Sequence, residues 1–526
     1  MDFLKNITPR DYQKKIFETC KEKNCLVVLP TGLGKTLIAL MLAIERMKTF
    51  PGKKVLFLAP TKPLAEQHQN FFVKHVPELF ADMQLFTGAV SADKRKKIWQ
   101  TADMIFSTPQ CIANDLKNAL YDLKEVCLLI EDEAHRCIKN YDYNYIASEY
   151  KSRSNFQRII GLTASPGSDK SRIKEICENL SIEEVEIRTR ESEDVKEYLQ
   201  ELEFEKILID FPEEFEKIRQ PLKKIFNNLV NELKARNLLP ESPSKTNLIK
   251  LQKQLISSLS RGNKHFNLLR GISICSSAIK LQHALELLET QTLQGLYTYM
   301  KSLYEKSSES KTKGLKQLVK KPEFIVAYNS LINLIAKKTE HPKMTKLVEI
   351  ISEKINQNPN TKTIVFAQYR DTVSKIAKEM KNIKGIRAKI FVGQNKKTKG
   401  KEETGLSQKE QQKILEEFSE GKINLIASTS IGEEGLDIPE VDRVIFYEPI
   451  PSAIRKIQRA GRTARLKPGM LTILITKKTR DEAFYYVSKR KEVKMHSAIG
   501  SIKEEFSKSQ LDKDIEKQKT IKDYFD

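Results

Sequence analysis

One short segment of the sequence has the residue types needed to hold a chain of phosphates. Residues 29–36 read Leu-Pro-Thr-Gly-Leu-Gly-Lys-Thr and stand between an apolar run and a helical pattern. Glycines at such a turn let backbone N–H groups face phosphate oxygens, a lysine reaches the terminal phosphates, and a hydroxyl group can bind magnesium. Leu29 stands where the generic pattern has its first glycine, so the match is incomplete. The segment predicts a nucleotide site formed by Thr31, Gly32, Leu33, Gly34, Lys35 and Thr36.

A second segment supplies carboxylates. The apolar run 126–130 ends in Glu131-Asp132-Glu133-Ala134-His135. At the end of a buried strand, Asp132 would hold magnesium, generally through its waters, and Glu133 would orient and deprotonate the water that attacks the terminal phosphate. An ordinary acidic turn has the same residues, but the phosphate loop upstream favours the catalytic interpretation.

A third segment, Gln458-Arg459-Ala460-Gly461-Arg462-Thr463-Ala464-Arg465, supplies positive charge. On a predicted helix, residues three apart share a face, so Arg462 and Arg465 could both point at the nucleotide, with Gln458 one turn earlier. Cations supplied from a second body would make phosphoryl transfer depend on closure of a cleft. An arginine-rich surface helix paired with acids is the alternative interpretation.

The elements that must position these residues form two similar blocks. From about residue 24 to 189, and again from about 342 to 490, short apolar runs closed by turn residues alternate with helical patterns. Buried strands alternating with helices predict a doubly wound parallel sheet in each block. Between them, from about 211 to 340, long helical patterns predict an inserted all-helical domain. The predicted domains are a first α/β lobe at 1–205, the helical insertion at 206–340, a second α/β lobe at 341–498 and a flexible tail at 499–526.

The composition favours a nucleic-acid partner. The 526 residues include 91 Lys or Arg and 69 Asp or Glu, a net charge of +22, and 40% are hydrophobic, which excludes disordered and fibrous classes. Residues 211–340 alone hold 22 Lys or Arg against 11 Glu and no Asp. Such an excess is typical of proteins that neutralise phosphate, although a solvated lysine-rich surface would look the same. Seven cysteines without zinc-ligand spacing, and no apolar run long enough to span a bilayer, predict a cytoplasmic protein with reduced thiols and no membrane partner.

Three further segments complete a family resemblance: Ala59-Pro60-Thr61-Lys62, Thr108-Pro109-Gln110 and Thr163-Ala164-Ser165. With the segments above, they follow the order found in superfamily 2 helicases, which residues 1–495 resemble. The long helical insertion is similar to that of archaeal Hef and of Fanconi anaemia M-type translocases, and RNA sensors of the RIG-I type share the layout. The resemblance implies two RecA-like lobes, with ATP and Mg²⁺ as cofactors. Hef often carries a nuclease domain with an ERK-centred motif, which is absent from this sequence, so a separate nuclease is a candidate partner.

The resemblance also implies roles for individual residues. It assigns Arg10 and Gln13 to adenine recognition, Thr163 and Ser165 to coupling, and Gly435 and Asp437 to the region of the ribose and the arginines. Other positions, all at predicted strand ends, would contact the backbone of one nucleic-acid strand without reading its base sequence. They are Pro60, Thr61, Lys62, Gly88, Thr108, Pro109, Gln368, Gly393, Gln394 and Thr429. Taken singly, each of these segments could also be an ordinary surface turn.

The last nine residues resemble the peptide by which replication proteins bind the sliding clamp. Gln518, Ile521, Tyr524 and Phe525 match its glutamine, aliphatic and paired aromatic positions. At this spacing one turn of helix places three apolar side chains into a groove. A tail that packs back on the body is the alternative. A clamp peptide favours work on DNA over work on RNA.

These observations predict an ATP-dependent DNA helicase or translocase that remodels forked and branched DNA in replication-fork repair, associated with the nucleoid of an archaeal cell. An RNA helicase or a translocase on double-stranded RNA is the rival enzyme, because the lobe motifs seldom separate the two sugars. A non-catalytic scaffold that binds branched DNA and recruits the clamp is a third possibility. The presence of Lys35, Glu133 and Arg465 argues against the scaffold.

Overall fold

The computed structural model describes most of the chain: residues 3–199, 201–239, 242–262, 265–309, 313–393, 398–399, 402–403, 405–429, 439–450, 452 and 468–522. The strands are β1 (Cys25–Val28), β2 (Lys54–Leu58), β3 (Met83–Phe86), β4 (Met104–Ser107), β5 (Val126–Asp132), β6 (Ile159–Thr163), β7 (Glu184–Ile187), β8 (Leu202–Ile209), β9 (Thr363–Phe366), β10 (Ala388–Phe391), β11 (Thr398–Lys399), β12 (Glu402–Glu403), β13 (Leu425–Ser428), β14 (Arg443–Phe446) and β15 (Gly469–Thr476).

The helices fall into three groups along the chain. The first group is α1 (Asp11–Glu22), α2 (Lys35–Thr49), α3 (Lys62–His75), α4 (Ala92–Thr101), α5 (Pro109–Lys117), α6 (Asp142–Arg153), α7 (Lys170–Asn179) and α8 (Glu193–Lys196). The second is α9 (Glu213–Ala235), α10 (Lys245–Ser260), α11 (Phe266–Thr290), α12 (Leu293–Glu309), α13 (Lys313–Val319) and α14 (Pro322–Ala336). The third is α15 (Pro342–Gln357), α16 (Arg370–Met380), α17 (Gln408–Ser419) and α18 (Arg480–Lys522).

The first lobe is a seven-stranded parallel sheet with the order β3-β4-β2-β5-β6-β1-β7. Because successive side chains of a strand face opposite sides, each strand serves two cores. Leu26 and Val28 enter one hydrophobic cluster, whereas Cys25 and Val27 enter the other. Helices therefore cover both faces, which confirms the predicted doubly wound fold.

The second lobe is a six-stranded parallel sheet with the order β10-β13-β9-β14-β15-β8. Strand β8 pairs along its whole length with β15, from Leu202 opposite Gly469 to Ile209 opposite Thr476. The first-lobe boundary predicted at residue 205 is therefore wrong, because residues 202–209 form an edge strand of the second sheet. The helical domain is an insertion into the second lobe, between β8 and α15, rather than a link between two completed lobes.

The insertion is an all-helical bundle, as predicted, with its own core. Helices α9 to α14 enclose a cluster of buried leucine, isoleucine and aromatic side chains. Polar side chains then join this bundle to the second lobe. Tyr369 Oη donates to Glu286 Oε1 over 2.8 Å, and Thr372 Oγ1 donates to Gln291 Oε1 over 2.7 Å.

The C-terminal segment continues as one long helix to Lys522, and the predicted flexible tail at 499–526 is wrong for residues 499–502, which pack on the first lobe. Helix α18 begins on the second lobe and packs on the first. Met495, Ile499 and Ile502 are all at most 2% exposed and belong to a core cluster of the first lobe. Spacings of four and three residues place these side chains on one helix face, which binds that part of the chain to the first lobe.

The described residues contain no helix that is both long and apolar enough to cross a membrane. All seven cysteines are free and buried.

Candidate functional site

The order of strands in the first sheet gathers the three nucleotide segments. Strands β5, β6 and β1 are neighbours, and all run in the same direction. Residues that follow their carboxyl ends therefore meet at one edge of the sheet. This edge holds Glu133 after β5, Ser165 after β6 and the loop 29–34 after β1.

The phosphate loop has the backbone that its glycines allow. Gly32 has φ 87° and Gly34 has φ 74°, in the left-handed region that costs glycine little. Gly34 is also the N-cap of α2, so the first N–H groups of that helix face the loop. Lys35 Nζ donates to Leu29 O over 2.9 Å. The loop can accept phosphate oxygens through its N–H groups, with Lys35 beside them.

Gln13 supports this loop from the side. Its Nε2 donates to Leu33 O over 3.0 Å, and its Oε1 accepts from the backbone N–H of Arg10 over 2.8 Å. Tyr12 Oη donates to the same Leu33 carbonyl over 2.8 Å. The Arg10 guanidinium lies over the ring of Tyr198, 4.7 Å from its centroid. The amide of Gln13 retains one proton and one lone pair for adenine, but its visible partner is the phosphate loop, which the sequence analysis did not foresee.

The two residues predicted to hold magnesium are bridged by a histidine. His68 Nε2 lies 2.8 Å from Asp132 Oδ2, and His68 Nδ1 lies 3.4 Å from Thr36 Oγ1. Burial disfavours ionisation of Asp132, but the contact with His68 and the charge of Lys35 outweigh it and hold the pKa of that carboxyl below its usual range. A carboxylate and a hydroxyl group are hard oxygen donors, so this pair fits Mg²⁺.

The carboxyl group of the preceding residue, Glu131, has a pKa shifted in the opposite direction. Glu131 is fully buried in β5, and burial raises its pKa to about 8, although contact with Cys137 opposes the shift. Glu131 is therefore mostly protonated at neutral pH, while Asp132 is ionised. Of these two neighbouring carboxyl groups, Asp132 is therefore the one that brings negative charge to the nucleotide site.

Glu133 is joined to the coupling segment through His135. Glu133 has φ 52°, an uncommon conformation for a residue other than glycine, and it directs the chain into the short 3₁₀-helix Ala134–Arg136. His135 Nδ1 lies 3.1 Å from Glu133 Oε2 and 3.2 Å from Thr163 Oγ1. A histidine thus contacts both the predicted base and the predicted coupling residue.

Thr163 also contacts the other two segments. Its carbonyl accepts from Leu29 N over 3.1 Å, and its hydroxyl accepts from Ser165 N over 3.1 Å. Ser165 Oγ in turn lies 2.8 Å from Met495 Sδ of α18. The phosphate loop, the acidic segment and α18 are therefore linked through the two residues that the resemblance assigned to coupling.

The predicted nucleic-acid residues of the first lobe lie together on the other half of the same sheet edge. Strands β3, β4 and β2 are neighbours, so Gly88, Thr108 and the segment 60–62 follow adjacent strands. Gly88 and Lys62 are exposed, whereas Pro60 and Pro109 are buried beneath them. Thr61 Oγ1 has no hydrogen-bond partner within the described part of the chain. The exposed groups suit contact with a phosphate backbone.

The second lobe repeats the arrangement. Strands β10, β13 and β9 are neighbours, and Gly393, Thr429 and Gln368 follow them. Gln368 is exposed, whereas Gly393 and Thr429 are buried. The Gly393 carbonyl accepts from the Arg370 guanidinium over 3.1 Å. A direct contact with nucleic acid is thus open to the side chain of Gln368, whereas Gly393 and Thr429 are not exposed to one.

A groove of about 840 Å³ separates the lobes beside the nucleotide site. Helix α3 of the first lobe and helix α17 of the second form its walls, and Thr36 and His68 lie at its inner end. The groove is the space that would change if the lobes moved relative to each other.

Several predicted residues cannot be placed. The positions outside the described residues are Gln394, Gly435, Asp437, Gln458, Arg462, Arg465, Tyr524 and Phe525. Gln518 and Ile521 fall in the last turns of α18. The predicted arginine contribution, the ribose contact and the clamp peptide therefore stay predictions.

Sequence analysis missed the part that His68 plays and gave His135 no role. His135 could have been found, because it stands in the same acidic segment as Glu133. His68 follows neither a glycine turn nor a strand end, and no local pattern marks it. Its place depends on how α3 packs across the sheet, which is a tertiary feature.

Comparisons with known proteins agree with this architecture. Three family models match: "DEAD/DEAH box helicase" at residues 10–173, "Putative ATP-dependent RNA helicase, helical bundle" at 214–339, and "Helicase conserved C-terminal domain" at 342–467. The crystal structure of the Pyrococcus furiosus Hef helicase domain superposes with a TM-score of 0.71 at 44% identity, covering 92% of this chain and 100% of that one.

Two curated relatives illustrate the range of names. A Methanocaldococcus jannaschii protein named "Putative ATP-dependent RNA helicase" is 39% identical over 93% of this chain and 60% of its own length. The Fanconi anemia group M protein homolog of Mus musculus is 32% identical over 94% of this chain and 26% of its own length. The chain therefore spans less than two thirds of the length of each of these relatives.

Proposed function

The chain belongs to the superfamily 2 helicases, in the group of the Hef helicase domain, and on that premise we propose that it is an ATP-dependent helicase or translocase acting on DNA. The observation that carries this proposal is the convergence, on one sheet edge, of a nucleotide half and a nucleic-acid half. Loops after β5, β6 and β1 form the first half, and loops after β3, β4 and β2 form the second. Two functions built on one rigid sheet can influence each other through small movements.

The nucleotide half supports ATP hydrolysis. Backbone N–H groups of the phosphate loop and the N-terminus of α2 would bind the phosphates, with Lys35 at the terminal groups. Thr36 and Asp132 would hold Mg²⁺, which when bound neutralises charge on the phosphate oxygens. Glu133 would accept the proton of the attacking water, and His135 Nδ1 lies 3.1 Å from Glu133 Oε2. Arg462 and Arg465, from the second lobe, would complete the site on closure.

DNA as the substrate is supported by names among the relatives. The ATP-dependent DNA helicase mph1 of Neurospora crassa is 33% identical over 91% of this chain and 42% of its own length. The Methanocaldococcus jannaschii relative is instead named for RNA. A duplex-RNA translocase is therefore the second candidate, and a scaffold without catalysis is the third.

Forked or branched DNA is the finer proposal. Residues 211–340 hold 22 Lys or Arg against 11 Glu, and this basic bundle is fastened to the second lobe. A strand held across both lobes would bring the adjoining duplex towards the bundle. Such contacts would be electrostatic, so salt should weaken them steeply.

The experiment that tests the function is steady-state ATPase activity with no nucleic acid, single-stranded DNA, forked DNA or duplex RNA. We expect the largest stimulation with forked DNA. Lys35→Ala should abolish hydrolysis and serves as the blank, and Glu133→Gln should retain bound ATP without turnover. Greater stimulation by RNA would overturn DNA as the substrate. Absence of activity with every nucleic acid would favour the scaffold.

We also propose that the C-terminal peptide binds a sliding clamp, and that a separate nuclease acts with this protein on the same DNA. Support for the clamp comes from the spacing of Gln518, Ile521, Tyr524 and Phe525. Deletion of residues 518–526 should abolish binding to the clamp in calorimetry while leaving ATPase activity unchanged. A clamp affinity equal to that of the full chain would refute this assignment.

A further inference from the structure

Helix α3 joins the two halves of the candidate site. It begins at Lys62, immediately after the predicted nucleic-acid contacts Pro60 and Thr61, and Thr61 is its N-cap. Its buried face consists of Ala65, His68, Phe72 and His75. The same short helix therefore starts at the predicted strand-binding loop and passes beside the predicted metal site.

His68 makes the contact with the metal site. Its ring packs on Phe57 of β2 at 4.5 Å between centroids, and the residue is 7% exposed. Because an ionised carboxylate only accepts hydrogen bonds, the 2.8 Å contact assigns the proton of Nε2 to a bond with Asp132. In the neutral imidazole, Nδ1 is then an acceptor for the hydroxyl of Thr36, 3.4 Å away.

This arrangement orients both oxygen donors. The hydroxyl of Thr36 points its proton at His68, which leaves its oxygen lone pairs for a cation. His68 holds one carboxylate oxygen of Asp132, Oδ2, and leaves Oδ1 outside that contact. Partners outside the ligand set commonly fix the direction of metal ligands in this way, and losing one weakens metal binding by roughly 10–100-fold.

We propose that His68 is a positioning residue that aligns Thr36 and Asp132 for Mg²⁺ and, through α3, makes this alignment respond to the nucleic-acid strand held at residues 60–62. The response to nucleic acid rests on the proposed function. This route lies on the β2 side of the sheet. It is distinct from the link between His135 and Thr163 on the β6 side.

The test measures how Mg²⁺ controls nucleotide binding. A fluorescent, non-hydrolysable ATP analogue is titrated onto the full chain at increasing Mg²⁺, without and with single-stranded DNA. For His68→Ala we expect the Mg²⁺ concentration at half-maximal binding to rise about tenfold, in line with loss of such a partner. His68→Gln should stay close to wild type, because its amide can donate to Asp132 and accept from Thr36. Without Mg²⁺, all three proteins should bind the analogue equally.

His75 provides a matched control on the same helix. It is 8% exposed, its Nδ1 contacts Lys5 O at 3.0 Å, and its ring packs on Phe71 at 4.5 Å between centroids. His75→Ala removes a comparable side chain far from the metal donors, and it should leave the Mg²⁺ requirement unchanged. Thermal unfolding of each variant shows whether the fold is retained.

Two readouts separate the inference from the proposed function. The alignment role is measured without nucleic acid, so it is overturned if His68→Ala keeps the wild-type Mg²⁺ requirement or if His75→Ala raises it equally. The coupling role predicts that DNA lowers the Mg²⁺ requirement of the wild type but not of His68→Ala, and an equal effect on both overturns it. The proposed function fails separately, if wild-type hydrolysis does not respond to any nucleic acid.

Discussion

At the scale of single residues, Gly34 shows how closely two segments of the site approach. Its φ of 74° favours glycine, and a Cβ atom at this position would lie 2.4 Å from Nε2 of Gln13. Gln13 cannot retreat easily, because the same Nε2 donates to Leu33 O and its Oε1 accepts from Arg10 N. The absence of a side chain at Gly34 is therefore required by the backbone and by a neighbour at once.

The pair Gly34→Ala and Gly52→Ala separates these two requirements. Gly52 has nearly the same φ, 75°, but nothing lies within 4 Å of a Cβ atom there. Gly52→Ala should lower the free energy of unfolding by about 1–2 kcal/mol, the cost of a left-handed conformation, and Gly34→Ala should lower it further, because the clash with Gln13 adds to that cost. Only Gly34→Ala should also displace the phosphate loop and lose hydrogen bonds to a charged ligand, which weakens ATP binding by about 10–100-fold. Chemical denaturation and ATP titration of both variants check this, and equal ATP affinities would contradict it.

The sequence predicted which residues lie at the candidate nucleotide site better than it predicted which side chains contact them. Gly32, Lys35 and Asp132 stand in short motifs, where local spacing and strand ends carry the information. The bridge made by His68 involves Thr36 and Asp132, which are 32 and 64 residues away along the chain. No local pattern encodes a contact that depends on the packing of α3 against the sheet.

At the scale of elements, strand order converts scattered motifs into two sites. The apolar runs of the first lobe were recognised from their length and their turn residues, and the strands β1 to β6 confirm them. Their order β3-β4-β2-β5-β6-β1 does not follow chain order, so spacing alone could not separate a nucleic-acid half from a nucleotide half. The family resemblance supplied that division, and the sheet gives its physical reason.

The sequence patterns did not predict strand β8, and the reason lies in its position in the sheet. Most of its residues from Leu202 to Ile209 are exposed or partly buried, and the strand lies at the edge of the sheet. Its partner β15 follows more than 250 residues later, and the hydrogen bonds between them are the main evidence that β8 is a strand. A strand with a weak hydrophobic pattern, whose pairing strand lies far away in the sequence, is poorly predicted from sequence.

The sequence patterns also did not predict that helix α18 continues beyond residue 498. Its second half is rich in charge, which favoured a flexible tail, yet Met495, Ile499 and Ile502 form a narrow apolar stripe. That stripe is sufficient to hold the helix on the first lobe, because its three side chains join a hydrophobic core cluster there. Glu505 adds ion pairs with Lys170 and Lys174 of α7.

At the scale of the whole molecule, the helical insertion and the second lobe form one unit. Besides the bonds from Tyr369 and Thr372, Lys343 Nζ donates to Thr290 O over 3.2 Å. The same Lys343 forms an ion pair with Asp481, and both side chains are fully buried. The ion pair lies within the second lobe and fixes the ammonium group that bonds to Thr290, so opening this junction would leave a buried donor without its carbonyl partner. Movement between lobes should therefore carry the insertion with the second lobe.

Distances between attached spin labels would test this unit directly. Ser257 in the insertion, Ser374 in the second lobe and Ser152 in the first lobe are all exposed. The seven native cysteines are buried, so labels should attach preferentially to cysteines introduced at these serines. Addition of a non-hydrolysable ATP analogue, Mg²⁺ and single-stranded DNA should shift the distance in Ser257→Cys/Ser152→Cys and leave that in Ser257→Cys/Ser374→Cys unchanged. The same pairs in a Lys35→Ala background, where the phosphates lose their cation, should show a much smaller shift. A larger change between the insertion and the second lobe than between the insertion and the first lobe would show that the bundle moves independently, and that the buried junction at Lys343 does not hold the two together.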